Sequence, residues 1–99
     1  MNLYIGKLFE PRDLATNDLV IDYARGITNN VFWLGIDDID NEGTFQYATG
    51  GNLVFTNWEG GQPDNSGGAQ NCGITRIIHI KKWDDFQCDF KFVSICEMI

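Results

Sequence analysis

The chain is poor in basic residues. Its 99 positions hold seven Lys and Arg against 14 Asp and Glu, for a formal net charge of −7. Nucleic acids and anionic membranes are usually bound by basic patches, so we expect neither as a partner. The chain also lacks an apolar run near the roughly 18 residues that a membrane span requires. We expect a single domain over residues 1–99 that does not enter a membrane.

Cysteine is scarce and odd in number, with only Cys72, Cys88 and Cys96. One thiol is therefore left over, or pairs with another chain. A domain this small buries only about two-thirds of its unfolded surface and is often stapled. The alternative is three buried thiols in a cytosolic protein, but the long Gly-rich loops need tethering. Met1–Ile5 lacks a basic start and a small-residue cleavage site, so we expect no signal peptide there.

The region from Asp13 to Arg25 predicts a helix, with Asp13 as the N-cap and Gly26 at the C′ position. Its apolar residues recur at i, i+4 spacing on one side. These residues are Ala15, Leu19 and Tyr23, with Val20 and Ala24 beside them.

The rest of the chain predicts short strands around one long loop. Strands are expected at residues 31–36, 72–80 and 90–96, with two smaller runs at 44–47 and 53–55. The stretch 37–71 is otherwise Gly-rich loop, and a loop this long in a compact domain is usually functional. The order of helix, strand, long loop and strands indicates an α+β fold with small antiparallel sheets.

Two short segments offer oxygen ligands. They are Gln62-Pro63-Asp64 and Trp83-Asp84-Asp85, and each has a cysteine nearby in sequence. Carboxylate and amide oxygens suit Ca²⁺, which takes six to eight such ligands. A cation with open positions on a rigid loop can coordinate the hydroxyls of an outside molecule. This pattern therefore predicts calcium-dependent sugar binding.

Several motifs, in order, resemble the C-type lectin-like domain, and the match runs from residue 6 to 97. Trp33-Leu34-Gly35-Ile36 is similar to the tryptophan-containing core strand of that family. Other matching segments are Glu42–Tyr47, Asn57-Trp58, Gly61–Asp64, Trp83–Asp85 and the positions of the three cysteines. The resemblance implies a C-type lectin-like fold, a secreted protein and a carbohydrate-binding function.

The resemblance also implies a cis bond between Gln62 and Pro63, which costs an X-Pro pair only about 0.5–1 kcal/mol. It implies a disulfide between Cys72 and Cys88, worth about 3 kcal/mol in the chain-entropy account. The calcium ligands map to Gln62, Asp64, Gln70, Asp84 and Asp85. A supporting calcium site of the family maps to Asp38, Glu42, Asn65, Gln70 and Asn71. Since only two of those are acidic, we expect one Ca²⁺ and an empty or very weak second site.

The N-terminal part departs from the family pattern. The pattern places a first strand, a first helix and the first cysteine before Gly6, so the resemblance implies a domain shortened at its N-terminus. Cys96 then has no partner within the chain. Leu3-Tyr4-Ile5 or a second copy of the chain is expected beside the strand of Cys96, since an uncovered edge is a pairing hazard. We expect either a homodimer or a monomer with a buried, free Cys96.

The preferred sugar depends on which ligand positions carry an amide and which carry a carboxylate. An amide donates to a sugar hydroxyl and a carboxylate accepts from it, so their positions select hydroxyl geometry. In the family, Gln-Pro-Asp implies galactose or N-acetylgalactosamine. Mannose-type sugars stay open, because Gln70 and Asp84 also exchange amide and carboxylate, and because residues 65–69 hold no aromatic ring for stacking. His79 is a candidate sugar contact, with a structural role as its alternative.

Two other functions are weighed. A C-type lectin-like module that binds protein is an alternative to the lectin, but the retained carboxylates argue against it. A hydrolase requires a nucleophile with a positioned base, which the sequence does not show, so we do not expect an enzyme. The expected affinity for one sugar is weak, about 0.1–1 mM, because a shallow site barely offsets the entropy of association.

Overall fold

The computed structural model describes residues 6–25, 31–65, 68–77, 81–90, 92–94 and 96–98. These residues form one helix, α1, and seven strands. Their bounds are β1 Gly6–Leu8, α1 Leu14–Arg25, β2 Phe32–Asp37, β3 Gln46–Tyr47, β4 Cys72–Ile77, β5 Lys82–Phe86, β6 Val93–Ser94 and β7 Cys96–Met98. None of the helical residues described builds a helix with the length and apolarity needed to cross a bilayer.

The main sheet has five strands in the order β3-β2-β4-β5, and β6 pairs with β2 in parallel. The other pairs in this sheet are antiparallel. In the pairing of β4 with β5, Gly73 lies opposite Asp85 and Ile74 opposite Asp84. The α+β architecture with small antiparallel sheets is as predicted. It places the candidate ligands of the second segment on a strand rather than in a loop.

The core lies between the sheet, the helix and the long loop. One buried cluster joins Phe9, Leu34, Ile36, Tyr47 and Trp83, and a second joins Ile21, Ala24 and Phe32. Gly35 in β2 permits the close approach of the preceding segment, since its N–H donates to Phe9 O at 2.7 Å. A Cβ at Gly35 would lie 2.8 Å from Leu8 O. A larger residue would therefore separate β2 from the chain before the helix.

The start of α1 is capped as predicted. Asp13 Oδ1 accepts the N–H of Thr16 at 2.7 Å, and this hydrogen bond lowers the pKa of Asp13. Gly26, the predicted C′ residue, lies outside the described residues.

The i, i+4 series of apolar residues that predicts α1 is exposed, although Ala24 beside it is buried and Val20 packs against the core. Leu19 is 70% exposed and Tyr23 is 74% exposed, whereas Ile21 and Ala24 pack against Phe32. The i, i+4 pattern therefore identifies the helix correctly but indicates a side of it that faces away from the core.

The second sheet pairs the two ends of the described chain. β1 and β7 are antiparallel, with Leu8 opposite Cys96. Residues 6–8 form the partner strand of β7, and residues 3–5, which were expected beside it, lie outside the described part. Cys96 is free and exposed, so the expectation of a buried thiol is wrong.

Candidate functional site

The long loop is attached to β5 by backbone hydrogen bonds around Trp58. Trp83 donates its N–H to Asn57 O at 2.9 Å, and Glu59 donates its N–H to Trp83 O at 2.8 Å. The rings of Trp58 and Trp83 meet edge to face, with centroids 5.5 Å apart. Both tryptophans therefore serve packing, and they hold the loop beside the two acids that follow Trp83.

A buried hydrogen-bond network fixes Trp83 in turn. Its indole Nε1–H donates to Asn17 Oδ1 on α1 at 2.9 Å. The Nδ2 groups of Asn17 and Asn57 both donate to Lys81 O, at 3.2 and 2.8 Å. Since Trp83 and Asn17 are fully buried, these bonds orient β5 against the helix and the loop.

Asp64, Asp84 and Asp85 form the centre of the site, which we name the three-aspartate cluster. Each offers one carboxylate oxygen, and these oxygens all lie within 4.8 Å of one another. Asp84 is 5% exposed and Asp85 is fully buried, whereas Asp64 is exposed. Two distant segments, predicted from sequence to share a cation, thus converge.

The carboxylate of Asp85 organises the loop. Its Oδ1 accepts the N–H of Asp64 at 3.2 Å, and its Oδ2 accepts the N–H of Asn65 at 2.6 Å. Asp84 Oδ1 accepts the N–H of Asp85 at 2.8 Å. The strand therefore presents two preoriented acids to the loop.

Gln62 lies against the same cluster. Its Oε1 accepts the N–H of Asp64 at 3.1 Å, and its Nε2 lies 3.5 Å from Asp64 Oδ2. The bond between Gln62 and Pro63 is cis, as the resemblance implies.

Gln70 is connected to the cluster through Asn65. The N–H of Gln70 donates to Asn65 Oδ1 at 3.0 Å, and the N–H of Asn65 donates to Asp85. His79, the predicted sugar contact, lies outside the described residues.

The donor set of the cluster suits a hard dication. All the convergent atoms are oxygens, from three carboxylates with an amide beside them. Like charges this close repel, and a bound dication is the largest local charge available to offset that repulsion. Calcium takes such oxygens in a flexible geometry, and it leaves room for backbone, water or hydroxyl ligands.

A second acidic group, which we name the Asp38–Glu42 pair, lies at the mapped supporting site. Asp38 is buried and its Oδ2 accepts the N–H of Gly43 at 2.9 Å. With its amide nitrogen turned toward the acids, Asn71 donates to Asp38 Oδ1 at 3.0 Å and to Glu42 Oε1 at 3.1 Å. The hydrogen bond to Asp38, followed by desolvation and the charge of Asp38, raises the pKa of Glu42.

The Cys72–Cys88 disulfide is present, with Cα atoms 5.3 Å apart. Cys72 begins β4 directly after the long loop, and Cys88 follows the end of β5 by two residues. The bridge therefore joins the end of the loop to the segment that follows the two strand acids, as the resemblance implies.

Comparison with known proteins assigns this arrangement to a family. The sequence profile described as the lectin C-type domain matches residues 2–98. The chain belongs to the C-type lectin family. It is similar to pulmonary surfactant-associated protein D of Bos taurus, with 38% identity over 92 residues that cover 93% of this chain and 24% of that protein.

The fold of this C-type lectin is that of solved family members. It superimposes on the C-type lectin CEL-I from Cucumaria echinata with a TM-score of 0.85 and 31% identity, over 92% of this chain and 66% of that chain. The cow CD23 C-type carbohydrate-recognition domain gives a TM-score of 0.80 and 26% identity, over 92% of this chain and 67% of that chain.

Sequence reasoning missed the role of Asn65 in this lectin. It assigned Asn65 to the supporting calcium site, whereas the side chain accepts the N–H of Gln70 and its own N–H reaches Asp85. Its φ of 49° lies in the left-handed region that Asn tolerates better than most residues. The feature of the sequence that could have indicated this role is an Asn within a Gly-rich turn.

Proposed function

We propose that this C-type lectin binds neutral sugars through one Ca²⁺ held by the three-aspartate cluster with Gln62 and Gln70. The observation that carries the proposal is the convergence of three carboxylate oxygens within 4.8 Å from two segments that are 20 residues apart, Asp64 to Asp84. Side chains from both segments, backbone oxygen and sugar hydroxyls would complete the coordination shell. The bound ion would supply the attraction for paired hydroxyls.

The amide of Gln62 beside the carboxylate of Asp64 supports galactose or N-acetylgalactosamine as the preferred sugar. A hydroxyl on the ion would accept from the amide and donate to the carboxylate, so the order of the two groups selects its geometry. Mannose-type sugars are the second candidate, because Gln70 and Asp84 carry the opposite exchange. The cow CD23 domain was solved in the presence of a GlcNAc2Man3 oligosaccharide. Mannose is therefore included as a competitor in the test.

We propose that a single calcium ion suffices. Asn71 donates to both acids of the Asp38–Glu42 pair, and the hydrogen bond between the two acids raises the pKa of Glu42. The pair therefore has partners within the chain in place of a metal. The carboxylate count there is also lower than in the three-aspartate cluster. We further propose that the lectin acts outside the cell as a sugar-binding module, with no enzymatic step. Binding to glycans at useful strength would require several sites on one assembly.

The test is a calcium-dependent glycan array with galactose and mannose as competitors. The expected result is binding in millimolar Ca²⁺ that EDTA abolishes and that galactose inhibits better than mannose. Asp64→Asn should remove the binding, whereas Asp40→Asn, which changes an exposed acid outside the cluster, should retain it. Glycan binding that persists in EDTA would overturn the proposal.

A further inference from the structure

Gln70 differs from the three aspartates among the proposed calcium ligands because its side chain carries no charge. A carboxylate is attracted to a dication by its full charge, whereas an amide oxygen offers only one end of a dipole. The cost of ordering a loop is subtracted from the free energy of binding. A neutral ligand on a loop therefore gains most from a backbone that is ordered before the ion arrives.

Asn65 holds the backbone of Gln70 on one side. Its Oδ1 accepts the N–H of Gln70 at 3.0 Å, and its backbone O accepts the N–H of Gly68 at 2.8 Å. Its own N–H donates to Oδ2 of the buried Asp85 at 2.6 Å. Asn65 therefore connects Gln70 to the three-aspartate cluster through its side chain and its backbone.

Asn71 holds the backbone of Gln70 on the other side. Its backbone O accepts the N–H of Asp38 at 3.0 Å, and its side-chain amide donates to both acids of the Asp38–Glu42 pair. The next residue, Cys72, is bonded to Cys88. Gln70 thus lies between two asparagines that are attached to different parts of the fold, and all of these bonds join groups of the protein.

We infer that Asn65 is a positioning residue, which keeps Gln70 in place for Ca²⁺ and acts through Gln70 rather than as a ligand of the ion. The inference rests on the proposed function, since it concerns the calcium that Gln70 would help to bind. The side chain and both backbone polar groups of Asn65 are engaged in hydrogen bonds within the protein. Its φ of 49° lies in a region that Asn and Asp tolerate better than most residues.

Amide hydrogen exchange in the calcium-free lectin tests this role without the ion. Asn65→Gly permits the positive φ and removes the acceptor, so the Gln70 N–H should exchange at least about tenfold faster than in the wild type. Asn65→Asp keeps an acceptor oxygen and should restore slow exchange. The N–H of Asp38, which donates to Asn71 O, should stay protected in all three proteins because the loop does not open as a whole.

A calcium titration measures the effect on the site. Asn65→Gly should bind Ca²⁺ about three- to tenfold more weakly than the wild type, as the loss of one hydrogen bond would give. Asn52→Gly removes a side-chain hydrogen bond to Gln46 in the same long loop. It is therefore the matched control and should keep the wild-type affinity.

Unchanged exchange at Gln70 in Asn65→Gly, equal loss of protection at Asp38, or failure of Asn65→Asp to restore protection would overturn the positioning role. Unchanged calcium affinity in Asn65→Gly would overturn it as well. In each case calcium binding by the wild type would still support the proposed function. Absence of calcium binding in the wild type would overturn the proposed function and, with it, the role of Asn65.

Discussion

The two acidic groups of this lectin lie near each other, but they differ in the number of carboxylates and in the hydrogen bonds that these carboxylates make. The three-aspartate cluster brings three carboxylates together, and two of them are held by backbone N–H groups. The Asp38–Glu42 pair has two acids, an amide that donates to both, and a raised pKa at Glu42. The charge of Asp85 contributes to that rise, so the three-aspartate cluster acts on the Asp38–Glu42 pair.

The number of acids alone therefore does not define a cation site. In the three-aspartate cluster, backbone N–H groups orient two of the three carboxylates, and the carboxylate oxygens converge within 4.8 Å. In the Asp38–Glu42 pair, the hydrogen bond between the two acids raises the pKa of Glu42, and Asn71 donates to both carboxylates.

Removal of the disulfide should affect both groups. The double variant Cys72→Ser/Cys88→Ser is expected to lose about 3 kcal/mol of stability, because the unfolded chain regains loop entropy. It should also bind Ca²⁺ more weakly, because the bridge adjoins Asn71 on one side and the end of β5 on the other. Denaturant unfolding with and without Ca²⁺ measures both effects, and Cys96→Ser is the control. Unchanged stability would contradict the assigned role of the bridge.

Calcium should stabilise the lectin through the three-aspartate cluster only. At a free concentration 100 times Kd, the expected gain is about 2.7 kcal/mol. Asp85→Asn should lose this gain, since it removes a carboxylate that also anchors the loop. Glu42→Gln should keep it. Thermal unfolding against Ca²⁺ concentration tests the contrast, and a gain lost equally in both variants would contradict it.

The buried network around Trp83 should support the three-aspartate cluster indirectly. Asn17→Ala leaves the indole N–H without its acceptor and is expected to cost about 1–3 kcal/mol. The number of calcium ions bound should not change, because Asn17 offers no ligand. Leu19→Ala, at an exposed position of the same helix, is the control for helix effects. Equal losses in the two variants would show that the network contributes little.

Glu42 should give a small, pH-dependent effect. Because its pKa is raised above 4.5, the pair is stabilised while Glu42 is protonated, and that stability is lost as the pH rises through the raised value. Without Ca²⁺, Glu42→Gln should therefore raise Tm relative to the wild type more at pH 7 than at pH 4. Asp40→Asn is the control. A Tm difference that does not vary with pH would contradict this account.

The sequence predicts much of this site because its signals are local. Gln62 and Asp64 flank a proline, and the cysteines and the two strand acids lie at spacings that resemble the family. The predicted strands at 72–80 and 90–96 leave out β5, which carries Asp84 and Asp85, because Lys82–Phe86 lacks the apolar alternation of a strand. Both acids are buried there by the loop that folds over β5, which is a tertiary effect.

The packing of the helix was also beyond sequence reasoning. Leu19 and Tyr23 supply a clear apolar side, but β2 meets α1 at Ile21 and Ala24, and the polar Asn17 is buried to hold Trp83. Periodicity predicts that a segment is helical. Which side it buries depends on partners that are distant in sequence.

A calcium titration by calorimetry at neutral pH, on the wild type and on Asp64→Asn, tests the central claim most directly. The account predicts one ion per chain in the wild type and at least about a tenfold loss of affinity in the variant, because ligand charge sets calcium affinity. No binding in the wild type, two ions per chain, or unchanged affinity in Asp64→Asn would contradict it.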